Sequence, residues 1–409
     1  MGIEKNINKK RHRLSNFKLE KLLEITHAIN SNFEVAALFD LYQDILETHL
    51  GIEKLVLYGY NSNWHAMHFF GIEGQPEDIE DSSIFDIKNT GTFSLSASGR
   101  QEAFDIVIPV LNEEVPIAFI LVGDVEEDKR GTSPVIKHMR YIQTITNIIL
   151  VAIQNKRLAE ENLRQVRISK ELELAAEMQS MLVPAGLPQD ENYDVSAIYK
   201  PHLQVGGDYY DFIELEDGRV MCCMADVSGK GVSAAFLMAN FQAYLMGIFK
   251  YLDLQLPDVV SNLNERVMVS AMGEKYITLF IATFDPKTRE LRYINCGHNP
   301  PILIHPDGSN ELLSLGSIGL GMFDEIPTIK EGVLTLDKNS VVICYTDGLV
   351  EQENASNEEF GVDKLASIGG ENVTDNSEEL NAKILTAFNE FRGDTPFIDD
   401  TALLTCKFH

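Results

Sequence analysis

MCCMADVSGKGVSAA, residues 221–235, decides how this chain is read. Met221–Ala225 is an apolar run of the kind that forms a buried strand, and it ends on a carboxylate, Asp226. Gly229-Lys230-Gly231 then supplies a tight turn, and Val232–Phe249 reads as a helix whose N-terminus favours anions. A carboxylate placed just past a buried strand is held rigidly at the edge of a sheet.

The same arrangement recurs on either side. Val205–Phe212 (VGGDYYDF) supplies Asp208, Val341–Leu349 (VVICYTDGL) supplies Asp347, and Phe397–Leu404 (FIDDTALL) supplies Asp399 and Asp400. Each has an ordinary reading alone: Asp-Gly is a common turn, and Asp226 could cap the helix that follows it. Together they predict a cluster of like charges, which is unfavourable unless cations bind it or protons neutralise it. Aspartate oxygens are hard ligands suited to Mg²⁺ or Mn²⁺. Gly206, Gly207, Gly229, Gly231 and Gly348 let the backbone turn beside these acids.

Upstream the pattern differs. Residues 1–17 read as a basic arm without regular structure: the first 22 residues hold seven lysines and arginines against two glutamates. Residues 18–50 carry two helical patterns. Lys54–Tyr60 and Trp64–Phe70 read as strands, and Phe104–Leu111 and Val115–Val122 flank a turn at Asn112–Glu114. Ser133-Pro134 then caps a long helix striped by Met139, Ile142, Ile145 and Ile149. This order over residues 18–154 resembles a GAF domain, with a PAS-like or other sensor fold as the alternative; either implies a sensor of a small ligand or partner, and the sequence names no ligand. His65 and His68, three apart in a strand, fall on opposite faces and read as ordinary histidines.

Residues 155–184 predict a helical, charged linker. Ile168, Leu172, Ala175 and Leu182 share a stripe at coiled-coil spacing, broken by Gln179, and Val183-Pro184 stops the helix. Such a stripe is buried against its own domain or a second copy; a dimerising, signal-transmitting helix is the expectation.

Bulk properties set bounds. A length of 409 residues suggests two domains, with the second over 185–409. A net charge of −28 argues against a nucleic-acid partner. The opening residues lack the apolar core of a signal peptide, and no stretch is read as long enough to span a bilayer. Five cysteines, none in a CxxC pair, fit a reduced, cytoplasmic protein with core thiols.

The motifs GGDYYDF, ADVSGKGVSAA, INCGHNPP, CYTDGLVE and DDTALL occur in the order found in PPM-type metal-dependent Ser/Thr phosphatases. They resemble the bacterial RsbU/SpoIIE-like branch from about residue 170 to 409, and EMQSMLVP resembles that branch's lead-in. The resemblance implies an α+β fold, an α/β/β/α sandwich of two antiparallel sheets, with a centre of two Mn²⁺ or Mg²⁺ ions. It implies that Asp226 bridges both ions, that the carbonyl of Val227 adds a ligand, and that Asp347 and Asp399 complete one shell. Asp208 would act through a bound water, with Asp400, Gly229 and Lys230 behind the ligands. His298 and Asn299 would be structural or near the cleft. The implied substrate is a phosphorylated STAS-like regulatory protein. No arginine for the phosphate can be placed, and Lys230 is the candidate helper. Two other readings are a partner-binding module without turnover, which the full set of aspartates disfavours, and a nucleotidyl cyclase, whose required spacing is not met.

Overall fold

The computed structural model describes residues 2–409 except 62, 79–92, 98–99, 105, 113–114, 124–133 and 185. It divides into two compact units, 1–165 and 166–409. The turn expected at residues 113–114 and the cap expected at Ser133 lie outside the described residues.

In the first unit, helices α1 (Gly2–Asn30) and α2 (Val35–Asp44) are followed by a π-helical turn, Ile45–His49. α1 takes in the basic segment read as an irregular arm. No Gly or Pro interrupts residues 3–30, and Lys, Arg and Leu are good helix formers, so the charge pattern does not stop the helix. Strands β1 (Lys54–Asn61), β2 (Asn63–Phe70), β5 (Ile106–Asn112) and β6 (Val115–Gly123) form an antiparallel sheet in the order β2-β1-β6-β5. A separate ladder joins β3 (Phe93–Ala97) to β4 (Arg100–Phe104). Leu55 and Leu57 of β1 face a core that Tyr42 and the start of α3 (Pro134–Ser180) complete. There Tyr42 Oη lies 2.7 Å from Thr146 Oγ1. His68 stacks on Phe39 at 4.9 Å, as a core histidine would.

α3 is one uninterrupted helix, so the expected linker is not a separate element. Contacts divide between Gln165 and Val166, inside the helix, and not at residues 154 and 184. No helix breaker stands between Pro134 and Ser180, so nothing in the sequence could have ended it earlier.

The second unit is a sandwich. β7 (Tyr193–Lys200) opens it, followed by the hairpin of β8 (Tyr209–Glu214) and β9 (Val220–Val227) and the helices α4 (Val232–Tyr251) and α5 (Leu256–Ala271). Strands β10 (Ile277–Asp285), β11 (Glu290–Cys296), β12 (Ile302–Ile304), β13 (Asn310–Leu312), β14 (Gly316–Ser317), β15 (Gly332–Thr335) and β16 (Ser340–Tyr345) follow. A short α6 (Asp347–Val350), then α7 (Val362–Glu371), α8 (Ser377–Arg392) and β17 (Thr401–Phe408) end it. One sheet runs β14-β11-β10-β9-β8, with β15 also on β11; the other runs β13-β12-β16-β17-β7.

Alternation along the strands builds three layers of core. Val220, Cys222 and Met224 of β9 meet Val342, Cys344, Leu404 and Cys406 of the second sheet. The alternate residues Met221, Cys223 and Ala225 face α4 and α5, and Val341, Ile343 and Tyr345 face α7 and α8. All five cysteines are buried and free. One expectation needs correcting: α4 is long and apolar enough, by composition, to cross a membrane. Its Ala234, Leu237, Met238, Phe241, Leu245 and Ile248 are buried in this core, while Val232, Phe236 and Tyr251 are exposed.

Candidate metal centre

The same alternation aims the carboxylates. On β9 the inner face is Val220, Cys222, Met224, and the next residue of that parity is Asp226. β8 pairs Tyr209 with Ala225, so one step further sets Asp208 opposite Asp226. Asp211, three residues along in the same motif, has the opposite parity; its carboxylate accepts a 2.6 Å bond from the Tyr209 hydroxyl. Across the sandwich, β16 ends on Tyr345 and Asp347 opens α6, while Asp399 and Asp400 immediately precede β17. Both sheets thus deliver acids to one edge of the space between them.

The glycines permit this crowding. Gly229 and Gly231 have φ of 84° and 76°, values that other residues rarely adopt, and they turn the chain from β9 into α4. A side chain on Gly348 would begin 2.0 Å from the carbonyl oxygen of Asp400, so α6 could not approach the Asp399–Asp400 loop with any other residue there.

Electrostatics mark the cluster. Asp208 is 1% exposed, and its Oδ2 is buried with no hydrogen-bond partner among the described residues. Burial, then the charges of Asp226 and Asp400, push its carboxyl well above the usual range. Burial and the charges of Asp347 and Asp399 push Asp226 up to about 7. Asp347 is raised by burial and by Asp399, with Lys230 opposing. Buried carboxylates that resist ionising next to one another form a site short of positive charge, so the donor set fits hard divalent cations. The acids approach from both sheets without closing on one point: among the described residues no three His, Cys, Asp or Glu side chains gather tightly enough to ring a single ion.

Other expected residues are placed as follows. Asp400 is occupied: its Oδ1 accepts the His202 amide at 2.7 Å and its Oδ2 the Gly207 amide at 2.6 Å. Val227 faces that same turn, its carbonyl oxygen 3.0 Å from where a Gly207 Cβ would stand. Lys230 Nζ lies 2.7 Å from Asp399 Oδ2 and donates to the Ile398 carbonyl at 2.6 Å. His298 is buried, its Nδ1 2.9 Å from Thr278 Oγ1, and Thr278 is the cross-strand partner of Asp226. Burial holds its pKa down at about 4, so it is a neutral core group beside the centre. Of the linker stripe, Leu182 packs on the core beneath α4 and α5, Leu172 and Ala175 are partly buried, and Ile168 is 48% exposed.

Sequence reasoning missed three neighbours. Tyr199 places a buried hydroxyl beside Gly206 and Asp400. Thr346 has the inner parity of β16, and its hydroxyl accepts the Ala402 amide at 2.9 Å. Lys275 Nζ donates to the Ser228 carbonyl at 2.8 Å, bracing the turn before Lys230. None stands in an acidic motif, but the parity of Thr346 was available from the strand pattern.

The second half of the chain resembles known proteins. Residues 216–409 match the family model described as Stage II sporulation protein E (SpoIIE). The chain is 27% identical over 246 residues to "Phosphoserine phosphatase RsbU" of Bacillus subtilis (strain 168), covering 59% of this chain and 71% of that one. It is 23% identical over 197 residues to "Phosphoserine phosphatase RsbP" of the same organism, covering 46% of this chain and less than half, 47%, of the relative. The solved SiaA-PP2C domain of Pseudomonas aeruginosa superimposes with a TM-score of 0.53 at 20% identity, over 60% of this chain and 99% of that one, which bears on the fold. The second unit is thus similar to the SpoIIE family over residues 216–409 and shares the fold of that PP2C domain.

Proposed function

We propose that the chain is a metal-dependent protein phosphatase acting on phosphoserine or phosphothreonine of a regulatory partner. The observation that carries this reading is the approach of Asp208 and Asp226 from one sheet to Asp347 from the other, each pushed up by burial and by neighbouring carboxylates, with Asp399 beside them at the partly exposed rim.

Two Mn²⁺ or Mg²⁺ ions fit this donor set. When bound, such ions supply an activated water and offset charge on the phosphoryl oxygens. Asp226, central between the two sheets' acids, suits a shared ligand, with the Val227 carbonyl beside it. Asp347 and Asp399 would complete one ion's shell, and Asp208 would act through a bound water. Asp400 keeps the Gly207 backbone in place and so fixes where Asp208 stands. Lys230, at the mouth of α4, adds positive charge where a phosphoryl group would enter.

The named relatives are phosphoserine phosphatases, which supports a phosphoserine substrate here. A STAS-like protein is the substrate class we put forward. The first unit, GAF-like in its element order, is assigned the role of sensor, and the protein is placed in the cytoplasm, consistent with five free thiols. A homodimer through the second half of α3 fits the apolar side chains exposed there, among them Leu163, Leu174 and Met178.

The test is release of phosphate from a phosphoserine STAS protein with Mn²⁺ present, for the wild type and Asp226→Asn. Loss in the variant supports the reading; equal rates, or no release by the wild type, would sink it.

A further inference from the structure

The stripe of α3 that reads as a seam is interrupted by one polar residue, Gln179. The structure gives that residue a partner. Gln179 is 8% exposed, and its carboxamide pairs with both backbone groups of a single residue: Nε2 donates to the Gly206 carbonyl at 2.6 Å, and Oε1 accepts the Gly206 amide at 3.1 Å. A glutamine saturating one residue's donor and acceptor copies the pairing of a neighbouring strand. It does so from the final turn of a helix, where the Leu182 amide returns to the Gln179 carbonyl at 2.9 Å.

What it holds is the segment that delivers Asp208. Gly206 and Gly207 directly precede that carboxylate, and Asp400 grips the Gly207 amide from the other side at 2.6 Å. Gly206 has no slack for a substitute support: a Cβ there would lie 2.1 Å from Tyr199 Oη and 2.5 Å from Asp400 Oδ2. Asp208 makes no such bond through Oδ2, so the backbone sets its position.

We propose that Gln179 is a positioning residue: its carboxamide fixes the Gly206–Gly207 turn so that Asp208 presents its carboxylate to the metal centre. This rests on the metal-dependent phosphatase reading. It also means that the end of α3 and the metal centre share a rigid connection two residues long. Partners that orient a ligand typically change metal affinity 10- to 100-fold when lost.

The test is calorimetric titration of the full chain with Mn²⁺, beside thermal unfolding and phosphate release. Gln179→Leu removes both bonds; Gln179→Glu keeps an acceptor for the Gly206 amide but sets a carboxylate against the Gly206 carbonyl. Both are expected to weaken Mn²⁺ binding by roughly tenfold or more. In an Asp208→Asn background the same changes are expected to add little, since they act through Asp208. Ser180→Ala, on the adjoining exposed position, is expected to bind as the wild type does. Should Gln179→Leu lack a cooperative thermal transition, Gln179→Glu carries the measurement. A lowered melting temperature with unchanged Mn²⁺ affinity overturns the proposal. Weakened Mn²⁺ binding in a protein that releases no phosphate upholds the positioning role and removes the phosphatase reading. A wild type that binds no Mn²⁺ overturns both.

Discussion

Lys230 Nζ stands 2.7 Å from Asp399 Oδ2, so a protein cation already faces one of the acids that a metal would use. The pair is partly exposed, the lysine side chain at 45% and the aspartate at 33%. Such a pair contributes about 1 kcal/mol at most. Lys230→Ala frees Asp399 and is expected to tighten Mn²⁺ binding, by up to about fivefold on that energy. Phosphate release at saturating Mn²⁺ is expected to fall, because positive charge is lost where the phosphoryl group enters. Titration calorimetry and steady-state rates separate the two effects; looser binding in Lys230→Ala would contradict the competition.

Proton linkage gives a second expectation, for protein stripped of divalent cations by a chelator. Asp226 is pushed up to about 7 from an ordinary value of 3.8, chiefly by burial. Between those values the folded chain holds a proton that the unfolded chain has released. Stability therefore rises as pH falls from about 7 towards about 4, the reverse of a salt-bridged aspartate. Asp208 and Asp347, both raised, act in the same direction. Asp226→Asn is expected to flatten this dependence and raise the melting temperature of the stripped protein near neutral pH. Mn²⁺ at about a hundred times its dissociation constant should stabilise the wild type by about 2.7 kcal/mol.

Two glycines should behave oppositely. Gly206→Ala forces a Cβ to 2.1 Å from the Tyr199 hydroxyl, and overpacking of that kind costs about 1–3 kcal/mol. Gly247, inside α4, has open space around its Cβ position, so Gly247→Ala should gain about 0.5–1 kcal/mol from helix propensity alone. Urea denaturation of both variants reads the signs directly.

The exposed row on α3 predicts association. Leu174 and Met178 are 61% and 71% exposed. Replacing Leu174 and Met178 together by Glu is expected to halve the mass seen by light scattering of the full chain, with its helical circular dichroism kept. A wild type that already scatters as a monomer would end the dimer reading.

The sandwich and its acids were legible because they rest on period-2 alternation and on motifs whose glycines have one evident use. Asp226 and Asp347 could be picked out at the ends of apolar runs, whereas Asp208 and Asp399 stand just ahead of theirs. The role of Gln179 could not, since a polar residue in a helical stripe looks like a flaw until its partner, 27 residues on, is known. The extent of α1 was hidden for a different reason: lysines and arginines mark an arm by charge and a helix by propensity, and the absence of Gly and Pro decided it. The linker's continuity with the preceding helix was likewise missed, because a change of composition near residue 155 is a change of surroundings and not of backbone.

Asp226 owes its aim to an even count of residues from Cys222 and Met224. A single residue inserted into β9 would send its carboxylate to the side of α4 and leave the strand as apolar as before. The strand thus behaves like a reading frame, in which a slip of one erases the message without changing its letters. Length differences among related chains should accordingly collect in the Leu215–Arg219 hairpin, at the far end of β8 and β9, where an extra residue changes the loop and leaves the frame intact.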